Sequence, residues 1–372
     1  MKIFLKTTKL KSIWSKIQNN HIYLYILLAN AVVARFLYSF YIPRETPEQW
    51  PLWKYDPLFI TAVVVFGIVF KVSLNIPEKM NITIKRILYR GIINSEDHLQ
   101  ESLKKRANKL SNICGSILGT VIFIAWIRGF ELKIMNILLI IFETFLAYLT
   151  GRILGTMVAY GTLGSILRKE KITLNLQPEH IDGAAGLKPV GDFYFFQFVI
   201  ASMPAFFIAG WWLLLLVLTR NGISIPKDTS QWKDEAILLL PLAMIVEALV
   251  FILPMVSFNQ QMRNFKANLL NDPKKSEAKP LKSADQISNA ITTMKAELLN
   301  AKNEPEHNLI KYKVSYLSEK YHAYERMPTW PVSPSIRRLF TINNLILLIP
   351  ILLKIIPVII NTFNKINQHS PS

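Results

Sequence analysis

The chain has 372 residues, 51% of them hydrophobic, with 43 Lys and Arg against 25 Asp and Glu, a formal charge of +18 and one cysteine. A single cysteine, Cys114, excludes an internal disulfide framework and reads as a small core residue. Half-apolar composition alone fits soluble and membrane proteins alike. The clustering decides, because the apolar residues gather in stretches near or above the ~18 residues that cross a bilayer.

Met1–Asn20 carries five lysines, and residues 1–21 read as a basic cytosolic N-terminus. The apolar run Ile22–Ile42 follows, with Arg35 inside it. It exceeds a usual signal core and ends in aromatics and Ile-Pro without a small-x-small cleavage site, so it is predicted to be an uncleaved first span. Tyr38, Phe40, Tyr41, Trp50, Trp53 and Tyr55 surround the next loop, where aromatic rings suit headgroup depth. A second span covers Leu58–Ile76 and holds Lys71.

The loop 77–111 is strongly basic, and its first part, Ile82–Ile93, suits the membrane surface. Leu99, Leu103, Ala107 and Leu110 then repeat at helical spacing, predicting a helix that runs into a third span at 112–128. Ile134–Tyr160 is the fourth span and holds Glu143 and Arg152, which lie about 13 Å apart along a helix and near opposite faces. The fifth, 193–218, is interrupted by Pro204 and Gly210; the sixth, Ala236–Phe258, holds Glu247. Residues 22–260 thus form a six-span membrane domain.

A polar linker follows at 261–285. Ile287, Ile291, Met294 and Leu298, then Ile310, Val314, Leu317, Tyr321 and Tyr324, predict a cytosolic helical hairpin over 286–326. Residues 327–340 combine Pro328, Pro331 and Pro334 with Trp330, Arg337 and Arg338 as an interfacial segment. Residues 341–372 form a membrane-associated C-terminal segment and tail, in which Leu345–Ile360 is open to a seventh span, a re-entrant turn or a surface helix. The fold class is therefore all-α: a polytopic helix bundle with a cytosolic helical hairpin.

The N-terminus, the second and fourth loops and the segment after the sixth span are basic, which places both ends of the six-span unit in the cytosol. Anionic lipid on that side accounts for the excess charge without a nucleic-acid partner, and no RNA-binding module, zinc finger or helix-turn-helix pattern is present. Abundant Ile, Asn and Lys with short loops suit a prokaryotic inner membrane.

Charge inside a span requires a partner, a cavity or an interface. Glu247, Glu143, Arg35, Arg152 and Lys71 are thus the intramembrane polar candidates, either lining a path or tying helices together. Gly115 with Gly119, and Gly151 with Gly155, permit close helix approach. The most unusual polar string runs from Pro178 to Gly191 and contains Glu179, His180, Asp182, Gly183 and Gly186. His180 and Asp182 are its catalytic alternative, at a surface where lipid substrates arrive. A metal at Glu179, His180 and Asp182 would need a further strong ligand that the local sequence lacks, so no cofactor is expected. The glycine spacing does not form a phosphate loop.

His180, Asp182, Gly183, Gly186 and Leu187 resemble the His-x-Asp-Gly-x-x-Gly-Leu loop of certain prokaryotic multi-pass membrane proteins, with Ala185 where that loop carries glycine. The resemblance implies a membrane protein and no particular chemistry. Met327-Pro328-Thr329-Trp330-Pro331 is a second such mark. The composite expectation is an oligomeric ion channel or pore gated through its cytosolic helices. The alternative is a non-conducting sensor or scaffold that recruits a protein through residues 284–326.

Overall fold

The computed structural model describes residues 28–29, 32, 57–94, 97–129, 134–170, 172–225, 227–271, 284–300 and 303–368. Ten helices occur among them: α1 (Pro57–Ser73), α2 (Ile76–Tyr89), α3 (Asp97–Gly129), α4 (Ile134–Gly161), α5 (Leu163–Lys169), α6 (Lys188–Arg220), α7 (Lys227–Asn271), α8 (Ala284–Asn300), α9 (Glu304–Glu325) and α10 (Pro334–Gln368). No strand occurs among the described residues. Six stretches are long and apolar enough to cross a membrane: Pro57–Tyr89, His98–Ala125, Ile140–Gly161, Lys188–Arg220, Glu235–Asn268 and Pro334–Pro357. The protein is an all-α, multi-pass membrane bundle.

Inside a bilayer, lipid is as apolar as the side chains, so helices associate through close packing rather than through burial from water. The α3–α4 pair is built this way. A Cβ on Gly155 would stand 2.5 Å from the Leu110 carbonyl oxygen, and one on Gly115 would stand 2.9 Å from that of Tyr148. A Cβ on Gly151 would collide with the Cys114 carbonyl. The two glycine pairs thus face each other across one antiparallel contact, using the close approach that their spacing permits. The outward faces keep exposed Ile113, Ile117, Val121 and Ile141 for lipid.

Toward one end of these stretches, the chain builds a different kind of core. Ile76, Met80, Ile84 and Ile87 of α2 are completely buried, and they join Ile92, Leu99 and Leu103. The same cluster takes in Leu163 and Leu167 of α5, Leu187 and Tyr194 at the start of α6, Met262 of α7, Ile287 of α8 and Tyr324 of α9. Every connection predicted to share the basic side converges here.

The structure adds detail at three places. Helix α2 turns Ile76, Met80, Ile84 and Ile87 inward onto the bundle and leaves Ile82 and Tyr89 exposed. Helix α7 continues to Asn271, past the expected linker start at 261, since Phe258, Met262 and Phe265 extend its apolar stripe onto the cluster. Among its open alternatives, the C-terminal segment lies in a helix long and apolar enough to cross a membrane. It is part of the 35-residue α10, which contains Pro350 and Pro357 and starts eleven residues before Leu345. The predicted first span, Ile22–Ile42, lies outside the described residues except for Leu28, Ala29 and Val32. Leu28 packs with Val63 and Leu149.

Candidate functional site

The polar string and the Met-Pro-Thr-Trp-Pro string, well separated in sequence, meet in space. A Cβ on Gly191 would collide with the Pro331 carbonyl oxygen, and the nearest atom to one on Gly183 is Pro334 Cδ. Backbone approach this close requires the hydrogen side chain of Gly191. The junction lies where α2, the 172–187 loop, the start of α6 and the 326–333 connection come together.

Asp182 organises it. Its side chain is 5% exposed. Oδ1 accepts the Ala184 N–H at 2.9 Å and the Gly186 N–H at 3.1 Å. Oδ2 accepts the Lys188 N–H at 3.3 Å and an Arg90 guanidinium N–H at 2.6 Å. A carboxylate has about four acceptor positions, and all four are used. Burial alone would raise the Asp182 pKa, but the Ala184 and Gly186 N–H groups, the electrostatic influence of the neighbouring His180 ring and the Lys188 N–H outweigh it and hold the carboxyl below its ordinary range. The Lys188 bond also places negative charge on the first turn of the 33-residue α6, whose N-cap Leu187 has no capping group of its own.

Arg90 is positioned by the end of α2. Gly91 takes φ +67, and its N–H bonds to the Leu88 carbonyl at 2.8 Å, while the Ile92 N–H bonds to that of Ile87 at 2.9 Å. This paired closure of a helix end requires a left-handed residue, and glycine supplies it without a Cβ clash. Arg90 also donates to the Gly186 carbonyl at 2.9 Å, and its own carbonyl accepts from Gln177 Nε2 at 2.9 Å. Ala185 takes φ 52 at the position where the resembling loop carries glycine.

His180 Nδ1 accepts the Asp182 N–H at 3.2 Å. Glu179 turns away from both, with Lys320 of α9 at 3.9 Å. Glu179, His180 and Asp182 are therefore not gathered around a shared vacant point. Among the described residues, no group of three or more His, Cys, Asp or Glu side chains is arranged to hold a metal ion.

The hairpin is seated on this junction by α7. Lys266 Nζ donates to the carbonyls of Glu325 at 2.6 Å and Met327 at 3.2 Å, and Asn259 Nδ2 donates to that of Thr329 at 2.6 Å. These bonds satisfy carbonyls released at and beyond the end of α9. Tyr324 is fully buried beneath, and its hydroxyl has no hydrogen-bond partner among the described residues. Burial, then Glu179 and Tyr316, push its pKa up to about 12.

The intramembrane candidates occupy separate places. Glu247 is completely buried in α7 and accepts from Asn343 Nδ2 of α10 at 2.5 Å. Its Oε2 has no partner among the described residues. Arg152 of α4 donates from Nε to Ser111 Oγ of α3 at 3.1 Å and lies 6.0 Å from the Tyr148 ring centre. It lines a cleft of about 640 Å³ among α1, α2, α3 and α4. Glu143 is half-buried and Lys71 exposed, while Arg35 lies outside the described residues.

No protein family, curated protein or solved structure matches the chain. Sequence reasoning missed Arg90, Asn343, Asn259 and Lys266 as site residues. Arg90 was visible only as one basic loop residue among many. The Asn343–Asn344 pair in an apolar stretch was a usable signal for a partner to Glu247.

Proposed function

We propose that the chain is a membrane-embedded scaffold that presents the α8–α9 hairpin to a protein partner. One observation carries this reading: both unusual strings, 178–191 and 327–331, are spent on a single junction that fixes the hairpin against α6 and α7. The hairpin keeps Leu309, Tyr312 and Tyr316 exposed on α9, a stripe at helical spacing that its own core leaves unused. Arg90, Lys188, Lys266 and Lys320 cluster at the same end, which under the positive-inside bias faces the cytosol and its anionic leaflet. A prokaryotic inner membrane with a cytoplasmic N-terminus belongs to this proposal, as does a homo-oligomer. His180 and Asp182 support an enzyme less well, because their polar atoms hold the loop together.

The second reading is an oligomeric channel. It is favoured by Glu247 Oε2, deep in a span and without a partner among the described residues, a group that a neighbouring copy or a permeant ion would satisfy. Ion flux separates the two. Liposomes holding only the purified full chain are expected to leak no faster than empty ones. Flux above that level, altered by Glu247→Gln, would replace the scaffold with a pore.

A further inference from the structure

The cleft among α1, α2, α3 and α4 has a composition that its surroundings do not require. Its deep wall is apolar, formed by Phe70, Leu74, Leu149 and Ile153. Its mouth carries Asn81, Glu101, Lys104 and Asn108, all exposed, so the cleft opens outward at that level. Arg152 stands between the two zones. Its Nε is bonded to Ser111 and its guanidinium lies over the Tyr148 ring, with no further hydrogen bond or ion pair among the described residues. Lys104 likewise has no ion-pair partner among them.

Position makes this informative. Arg152 precedes the end of the Ile140–Gly161 span by nine residues, about 13 Å of helix. Lys104 precedes Ser111 by seven residues, about 10 Å closer to the same end of the bundle. The cleft thus grades from a cationic mouth at headgroup level to an apolar floor at acyl-chain level. A guanidinium at that depth is costly unless an anion meets its free fork, and the geometry of that fork matches a phosphate or carboxylate. One side of the cleft, Glu101, is acidic; two groups, Arg152 and Lys104, are basic.

We infer that this cleft binds one anionic phospholipid, with its phosphate on Arg152 and Lys104 and an acyl chain along Phe70, Leu74, Leu149 and Ile153. The inference rests on the six apolar helices lying in a bilayer and is independent of whether the hairpin recruits a partner. It also has a structural reach. Ile76, Met80 and Ile84 of α2 line the cleft, and Arg90 at the end of the same helix holds Asp182. An occupant would press on one face of a helix whose far end belongs to the junction.

The test is native mass spectrometry of the full chain in nanodiscs of mixed phosphatidylglycerol and phosphatidylcholine. One phosphatidylglycerol molecule is expected to be retained in preference to phosphatidylcholine. Arg152→Gln is expected to reduce that preference about tenfold or more, the worth of a hydrogen bond to a charged group. Lys104→Gln, at an exposed position where folding is not at stake, is expected to reduce it by a smaller factor. Arg168→Gln, an exposed cation outside the cleft, is expected to leave it unchanged. Equal retention of the two lipids, or an equal effect of Arg168→Gln and Arg152→Gln, would overturn the inference. Displacement of the lipid by millimolar glycerol phosphate would also overturn it, in favour of a soluble phosphate site. Loss of partner recruitment or appearance of ion flux would leave the retention result untouched, so this inference and the proposed function fail separately.

Discussion

The α3–α4 pair and the Asp182 junction solve the same problem with opposite means. In the spans, two helices touch backbone to backbone because Gly115, Gly119, Gly151 and Gly155 remove the side chains between them. At the junction, chain segments without helical hydrogen bonds are held by a carboxylate, a guanidinium and amide side chains reaching backbone groups. The difference follows the solvent. Lipid offers no hydrophobic drive between helices and no hydrogen bonds to stray amides, so contact area is what remains. Where chain segments meet water, burial from it adds a drive of its own, and water competes with the polar ties.

The comparison breaks first if the glycine contact is less strict than described. Gly151→Ala places a Cβ against the Cys114 backbone, which cannot swing aside like a side chain. It is expected to cost about 3 kcal/mol in a detergent unfolding titration. Gly210→Ala in α6 meets nothing within 4 Å and is expected to stabilise by about 0.5–1 kcal/mol through helix propensity. Equal effects of the two would show that the α3–α4 contact is plastic.

Asp182→Asn tests the other pole. The amide keeps one acceptor oxygen but cannot serve Arg90 and the three N–H groups together, and a loss of about 2–3 kcal/mol is expected. The pH dependence has a fixed sign. A carboxyl whose pKa lies lower folded than unfolded contributes fully above the ordinary value of 3.8, and that contribution is lost as pH falls through the folded value. Protection of the Ala184, Gly186 and Lys188 amides against hydrogen exchange, taken relative to the intrinsic rate at each pH, should therefore fall as acid is added below about pH 4. Asp182→Asn should remove that acid-dependent step; an unchanged acid profile in the variant would reassign it.

Two smaller effects sharpen the picture. Ala185→Gly removes the Cβ from a residue at φ 52 and is expected to stabilise by about 0.5–1 kcal/mol in the same titration. Tyr324→Phe deletes a buried hydroxyl without a partner among the described residues and is expected to be neutral within about 0.5 kcal/mol. A large loss there would reveal a partner for that hydroxyl.

The membrane half was legible because its determinants are local. Apolar length marked the helices, and the glycine spacing marked faces able to approach another helix closely, without naming which helix. The helical hairpin was legible for the same reason, since Ile287 and Tyr324 lie on periodic stripes and both are buried. The junction was half legible. The strings 178–191 and 327–331 announced themselves by unusual composition, but nothing in either names the other, because backbone contacts such as Gly191 against Pro331 leave no pattern in side chains. Arg90 could not be paired with Asp182 from one sequence, where several nearby cations were equivalent. The length of α10 was misjudged because Asn343 and Asn344 interrupt hydropathy, whereas Asn343 is satisfied by Glu247 across the helix contact.

Helix α7 has 45 residues, about 68 Å at 1.5 Å per residue, against a hydrocarbon layer of ~30 Å. The helix is about twice as long as that layer is thick, a strut in which Lys266 grips the end of α9 near its tip. Under the proposed scaffold, the number of helical residues that precede Lys266 in α7 would set the height at which the hairpin is offered. Each residue added or removed there would also swing Lys266 by about 100° around the axis, away from the carbonyls it holds. Height and bearing of the hairpin are thus written into one uninterrupted count of residues.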